Sequence, residues 1–519
     1  LLGMELRSST AKGTANKVWG YVPDRGERIV APTIPSEVIT PNNPPTGWGI
    51  LGDIYSRGWQ RTNNTNNFLS FFATFAYSFK NRYVVNANVR NDASNVFGQD
   101  INHRIDPTYS FGLSWRASEE AFFQKHLKWI TTLNFRGTFG IQGNALTRES
   151  PELILSQQGV QPGYNRYFST IGQIPNPYLS WERTRNWNFG VDLELFRMFY
   201  MNLEYYTRRS NAVITVDLPF EYGIDDMKRN GGIIYNRGIE YTLSFTPIQK
   251  RDFSLNINLN ASKNWNKGGE TKIDRNTAMY LRGGSTQILK EGYPLSAFWS
   301  YSFAGLDGSN GKPMFNYVEV PDEEKSKSID PTTYLVYSGE TEPYFTGGLG
   351  FSFRYKSLSL NTSFSLLLGS KKRLPSPYSD FQGSGSMMPD PTKNVNRDLL
   401  NRWQKPGDEA YTNIPGLPTW PIEIGWTLPN TDSAESSIKM WEQSDAMVVS
   451  GSFLRCRNIG LSWQMKKEWC DKIHAKNLAI NFNMDNIFVI ASKRFNGFDP
   501  ELENSIMPRS FSLGLNIGF

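Results

Sequence analysis

The last nine residues, Phe511–Phe519, read FSLGLNIGF. Odd positions carry Phe511, Leu513, Leu515, Ile517 and Phe519, and even positions carry Ser512, Gly514, Asn516 and Gly518. Successive side chains of an extended chain point to opposite faces, so the stretch predicts a strand with one apolar face and one nearly bare face. A face of Ser, Gly and Asn cannot fill a protein core. It suits a watery or plugged lumen, with the apolar face turned to lipid.

The same alternation recurs upstream. FLSFFATFAYSF (68–79) sets Leu69, Phe71, Ala73, Phe75, Tyr77 and Phe79 on one face, with Phe72 as the exception. YVVNANVRND (83–92), YSFGLSW (109–115), LNFRGTFGI (133–141) and FSLNINLNAS (253–262) repeat it, as does SFLRCRNIGLSWQM (452–465). Period two over segments of about ten residues is the signature of half-buried antiparallel strands. The connections alternate in length. Short ones fall at 79–83, 196–199, 246–252 and 356–358, and intermediate ones at 117–127 and 466–476 have room for a helical turn. Long ones cover about 10–66, 142–185, 265–344 and 370–450, with smaller ones near 93–107, 211–232 and 490–508. Loops of that length are unusual inside a compact soluble domain, whereas outer-membrane barrels pair short periplasmic turns with long extracellular loops.

Segment 296–315 also reads as strand, but as a membrane crossing it would break the alternation of short and long connections. It is therefore assigned to the 265–344 excursion, as a hairpin in the loop or lumen. Fourteen crossing strands remain, the first running outward and the last inward. The fold class is all-β, a transmembrane antiparallel β-barrel. Tyr83, Trp115, Trp187, Phe196, Trp463 and Phe519 lie near strand ends, where aromatic girdles meet the two interfaces.

Composition agrees with this reading. The 519 residues are 39% hydrophobic and 14% aromatic, with 44 glycines. Mean hydropathy is -0.47, and no run approaches the ~18 apolar residues of a membrane helix. The net charge of +6 is scattered, which indicates a solvated surface rather than a nucleic-acid partner. Cys456 falls in an expected strand and Cys470 in a turn, without metal-ligand spacing or a disulfide framework. The three histidines, His103, His126 and His474, are far apart in sequence. No enzyme constellation, cofactor site or metal site is expected. DGSNGK (307–312) lacks the terminal acid of an EF-hand loop and reads as a turn. The N-terminal LLGMELRSST has no basic region or cleavage site of a signal peptide and reads as the interior of a longer chain.

Several blocks resemble the C-terminal barrel of the SusC-like TonB-dependent transporters of Bacteroidetes. They include LSWERT (179–184), NRGIEYTLSFTP (236–247), GLDGSNGKPMF (305–315) and PYFTGGLGFSF (343–353). RWQKPGDEAYTNIP (402–415), SDAMVVSGSFLRCRNIGLSW (444–463) and NMDNIFVIASKRFNGFDPE (483–501) continue the series, which MPRSFSLGLNIGF completes. The resemblance implies a 22-stranded barrel plugged by an N-terminal domain. The whole chain, 1–519, would then be the C-terminal part of that barrel, with the plug and earlier strands upstream or in another polypeptide. It also implies import of glycan or peptide oligomers, a SusD-like surface lipoprotein as lid, and energy delivered by TonB through the plug. A docking subunit of another outer-membrane assembly is the competing expectation, and a passive porin a third.

Two sets of site residues follow. Trp403, Tyr411, Trp420, Trp426 and Trp441 all fall in the 370–450 excursion, which prolines stiffen. Their rings could contact substrate or the lid lipoprotein, or pack on each other to hold the loop together. Phe519 resembles the terminal aromatic read by the barrel-assembly machinery, and it also suits a girdle.

Overall fold

The computed structural model describes residues 1–16, 21–22, 28–29, 59–95, 105–144, 152–161, 166–218, 220–224, 226–270, 278–283, 289–316, 331–378, 394–417, 426–427, 434–435, 437–502 and 505–519. One antiparallel sheet of 14 strands organises them. Its strands are β1 (Leu2–Asn16), β2 (Trp59–Phe79), β3 (Tyr83–Ser94), β4 (Ile105–Arg116), β5 (Ile130–Asn144), β6 (Glu182–Leu195) and β7 (Phe199–Asp217). They continue with β8 (Asp226–Gln249), β9 (Phe253–Gly268), β10 (Phe345–Tyr355), β11 (Leu358–Leu368), β12 (Phe453–Gln464), β13 (Asn477–Ile490) and β14 (Ser510–Gly518). Each strand pairs with its neighbours in this order. Among the described residues the sheet is a meander in which short turns and long excursions alternate, as the sequence predicts.

Register turns single-strand alternation into a continuous surface. Val191 on β6 stands opposite Leu203 on β7 and Phe135 on β5. Phe135 faces Trp115 on β4, which faces Tyr83 on β3, which faces Phe79 on β2. At the other end of the sheet, Leu513, Phe482, Leu461, Leu360, Phe353 and Leu255 form one rung across β14 to β9. Like meets like because a one-residue slip would move every side chain to the wrong face. The apolar face is open: Leu513 is 77% exposed and Phe75 57%. A contiguous apolar surface of this extent marks a membrane or partner contact.

Aromatic pairs gather at the short-turn end of this face. Trp115 stacks on Phe135 at 5.6 Å, Trp129 on Phe196 at 5.7 Å, and Trp463 meets Trp469 at 5.9 Å. The turn after β6 places Phe196 and Arg197 at positive φ, 53° and 56°. That geometry suits a tight hairpin but disfavours a bulky side chain. The stack on Trp129 contributes about 0.5–1.5 kcal/mol against that cost. The two intermediate connections hold the helical turns expected of them, Ala121–His126 and Lys467–Lys472. Cys456 lies in β12, whereas Cys470, read as part of a turn, is in the second of these helices; both are buried and free.

Two boundaries differ from the sequence reading. β7 runs to Asp217 and β8 begins at Asp226, inside the stretch read as loop 211–232. Likewise β1 reaches Asn16 and β2 starts at Trp59, inside the stretch read as loop 10–66. Backbone pairing continues there while the side chains are mixed, so the two-fold pattern fades before the strand ends.

A conventional core exists, and it lies off the sheet. The long excursions between β9 and β10 and between β11 and β12 fold together around Leu281, Trp299, Tyr301, Leu335, Met440 and Trp441. Segment 296–315 belongs to this body rather than to the large sheet, as expected, although it is not a simple hairpin. Ala297–Tyr301 pairs with Leu335–Glu340, whereas Phe303–Leu306 pairs with Pro313–Phe315. All five residues of Ala297–Tyr301 are buried.

Candidate functional site

The polar face of the sheet carries an ordered network on β5, β6 and β7. Asp192 accepts hydrogen bonds from Asn134 Nδ2 at 3.0 Å and Asn202 Nδ2 at 2.7 Å. Arg136 lies 2.7 Å from Glu204 and 3.4 Å from Asp192. Asn188 Nδ2 adds a 3.2 Å bond to Glu204. Gly190 makes room for this, since a Cβ there would meet the Arg136 guanidinium at 3.0 Å. Nothing in the network is a nucleophile with a base beside it. It is a hydrogen-bonding wall suited to a polar plug or a polar solute.

The second part of the site is the loop body. Trp441 is 2% exposed and meets Tyr378 edge-on at 6.1 Å. Tyr378 Oη donates to the Pro415 carbonyl, and burial pushes its phenol well above the usual range. Trp403 is half-buried, and its Nε1 donates to Glu409 Oε2 at 3.1 Å. Its ring covers the 307–312 turn so closely that a Cβ on Gly311 would lie 2.3 Å from it. In that turn Asp307 Oδ1 accepts from Ser309 N and Oγ, and Oδ2 accepts from Asn310 Nδ2. These donors hold the carboxyl below its ordinary range. Its oxygens serve the turn, in keeping with a turn reading of DGSNGK.

Tyr411 behaves differently, being 92% exposed. It stands at a cleft of about 420 Å³ that Asn396, Asp398, Asn413, Asp445 and Arg494 also line. Of the five ring positions singled out in the sequence, the structure therefore places Trp441 in the core, Trp403 against a turn and Tyr411 at an open cleft. Trp420 and the Trp426 side chain lie outside the described residues. Phe519 is 76% exposed just beyond β14, and Lys476 Nζ donates to its carbonyl at 2.9 Å.

Sequence reasoning missed one tie. Arg455 on β12 contacts both oxygens of Asp499, at 2.8 and 2.7 Å, and lies 2.8 Å from Glu501. Arg455 and Asp499 are 3% and 4% exposed. The bond anchors the 491–509 excursion to the sheet, and Arg494 extends it to the loop body by donating to the Val448 carbonyl at 3.0 Å. Both residues stand in family-like blocks, but nothing in either block marks them as partners.

Comparison with known proteins decides the family. Residues 34–487 match the family described as TonB dependent receptor-like, beta-barrel. The chain belongs to the TonB-dependent receptor β-barrel family. It is 26% identical over 482 residues to the TonB-dependent receptor SusC of Bacteroides thetaiotaomicron, covering 88% of this chain and 44% of SusC. It is 23% identical over 502 residues to TonB-dependent receptor P3 of Formosa agariphila, covering 88% of this chain and 46% of P3. The RagAB peptide importer in its open-open state superimposes with a TM-score of 0.69 at 20% identity, covering 100% of this chain and 52% of the importer chain. The chain thus spans about half the length of the relatives it matches. This TonB-dependent receptor chain is SusC-like, as its sequence blocks indicate. It is an outer-membrane barrel of a Gram-negative bacterium, in a family of transporters rather than enzymes. The apolar face of the sheet is accordingly its lipid face, and the polar face lines the lumen.

Proposed function

We propose that this chain forms the larger part of the barrel wall of a TonB-dependent importer of oligomeric nutrients. Further strands, upstream or in another polypeptide, complete the barrel beside β1 and β14, because hydrocarbon does not tolerate unpaired strand edges. A plug carried outside residues 1–519 occupies the lumen and receives force from TonB. A SusD-like lipoprotein covers the loop body. The observation that carries the reading is the ordered Arg136–Asp192–Glu204 network on the lumenal face. An open pore needs only hydration there, whereas a plug needs fixed donors and acceptors to dock against.

Peptide fragments are the favoured cargo. RagAB is a peptide importer, and the cleft at Tyr411 sets aromatic rings (Tyr411, Phe495, Phe498 and the edge of Trp441) beside amides, carboxylates and a guanidinium, which suits peptide side chains as well as a peptide backbone and its termini. The test is uptake of labelled peptide and glycan oligomers by cells carrying the intact protein, with and without TonB. Loss of peptide uptake without TonB is expected, together with a several-fold weaker half-saturation for Tyr411→Ala. Uptake that persists without TonB would sink the importer reading, and uptake of glycans alone would sink the peptide assignment.

A further inference from the structure

In the rungs that pair across β6 to β9, the acidic side chains keep to one face. Asp192, Glu194, Glu204 and Glu240 occupy lumenal positions. On the lipid face the paired register stacks three rungs at the long-excursion end. The deepest holds Phe189, Tyr205, Ile239 and Lys263. Trp187, Thr207, Arg237 and Trp265 form the next, and Arg185, Arg209, Tyr235 and Lys267 the outermost. Below them the lipid face is apolar, from Val191, Leu203, Tyr241 and Ala261 downward.

Five cations therefore share a patch. Strands lie ~4.8 Å apart and paired rungs ~7 Å apart, so the patch is roughly 14 Å on a side. Arg185, Arg209, Arg237, Lys263 and Lys267 are all exposed. None of the five makes an ion pair among the described residues, and none of the three rungs holds a carboxylate. Aromatic rings hold three of them in place. Arg209 lies 5.9 Å from the Tyr235 ring, Arg237 5.7 Å and Lys263 4.9 Å from the Trp265 ring. Cations stacked on interfacial rings at the edge of an apolar band sit at headgroup level. Unneutralised positive charge at that level is matched by lipid phosphate.

We propose that the outer rim of β6–β9 is a binding site for the phosphorylated headgroup of an outer-leaflet lipid, of the lipid A type. The site's position on the lipid face rests on the family assignment, not on the transport reading. The headgroup phosphates sit among the five cations, and the acyl chains lie along the apolar rungs below. Occupancy fixes the height of this part of the wall in the membrane without touching the lumen.

The intact protein, extracted from its own outer membrane in mild detergent, supplies the test. Bound lipid is counted by native mass spectrometry, and affinity is read by titrating purified lipid A into delipidated protein. At about a factor of five per cation, Arg209→Gln/Arg237→Gln/Lys263→Gln is expected to bind about a hundredfold more weakly. Heat-modifiable migration in gels reports whether the variant barrel is folded. Should it fail to fold, enzymatically dephosphorylated lipid A on the unaltered protein replaces it, with the same expected loss. Equal binding of lipid A and its dephosphorylated form overturns the proposal. Displacement of lipid A by millimolar inorganic phosphate alone overturns it too, because the site would then hold a free anion.

Discussion

Arg455→Met is expected to release the excursion between β13 and β14. The substitution leaves Asp499, 4% exposed, without its cation. Breaking one side of a buried pair costs about 3–5 kcal/mol, because the remaining charge has lost its partner and has no water. Among the described residues Asp499 keeps local help from the Glu501 amide at 2.9 Å. The loss is local, since the ladder of β12 with β11 and β13 does not depend on the side chain. Hydrogen exchange across 491–502 is therefore expected to rise by about two to three and a half orders of magnitude at ~1.4 kcal/mol per tenfold, with β13 itself protected. Arg455→Met/Asp499→Leu should recover most of the protection, as replacing both partners by apolar groups removes the stranded charge. Unchanged exchange in the single variant would show that the pair does not anchor the excursion.

Trp441→Ala is the second large effect. The ring is buried against Tyr378 in the core that Met440, Trp299 and Tyr301 share, at the base of the Tyr411 cleft, and emptying such a site costs about 3–5 kcal/mol. Among the described residues its Nε1 has no hydrogen-bond partner. Trp441→Phe, which keeps an aromatic ring but gives up an unused donor and part of the indole's volume, should cost less, about 1–2 kcal/mol. Limited proteolysis of the 369–452 excursion distinguishes the two: rapid cleavage for Ala, near-native resistance for Phe. A Trp441 that instead stacked on cargo would leave proteolysis untouched in both variants and lower uptake in both.

The strands were legible because lipid and lumen impose opposite chemistries on alternate residues. The rungs named from Phe79 to Leu513 keep that alternation, and the pattern together with the alternation of short and long connections gives strand number and order. The ends of β7 and β8 were not legible, because their backbone pairing outlasts the two-sided pattern. Partnering inside the loop body was also hidden. Ala297–Tyr301 reads as a strand, but its partner at 335–340 is named by packing rather than by any local signal. Among the site residues, sequence could gather the rings of 370–450 but not sort them, since burial of Trp441 and exposure of Tyr411 depend on how two excursions meet. The basic rim was hidden in the same way. Arg185, Arg209, Arg237 and Lys263 look scattered along the chain, and only the register brings them side by side.

The central claim is that one face of this sheet meets lipid and the other meets a polar lumen. A nitroxide scan along β9, positions 253–263 in liposome-reconstituted full-length protein, tests it most directly. Odd positions, including Leu255, Ile257 and Leu259, are expected to collide with oxygen dissolved in the bilayer. Even positions, including Asn256, Asn258 and Asn260, are expected to collide with a water-soluble nickel chelate or to be immobilised by the plug. The reversed phase, or no two-residue period at all, would contradict the account.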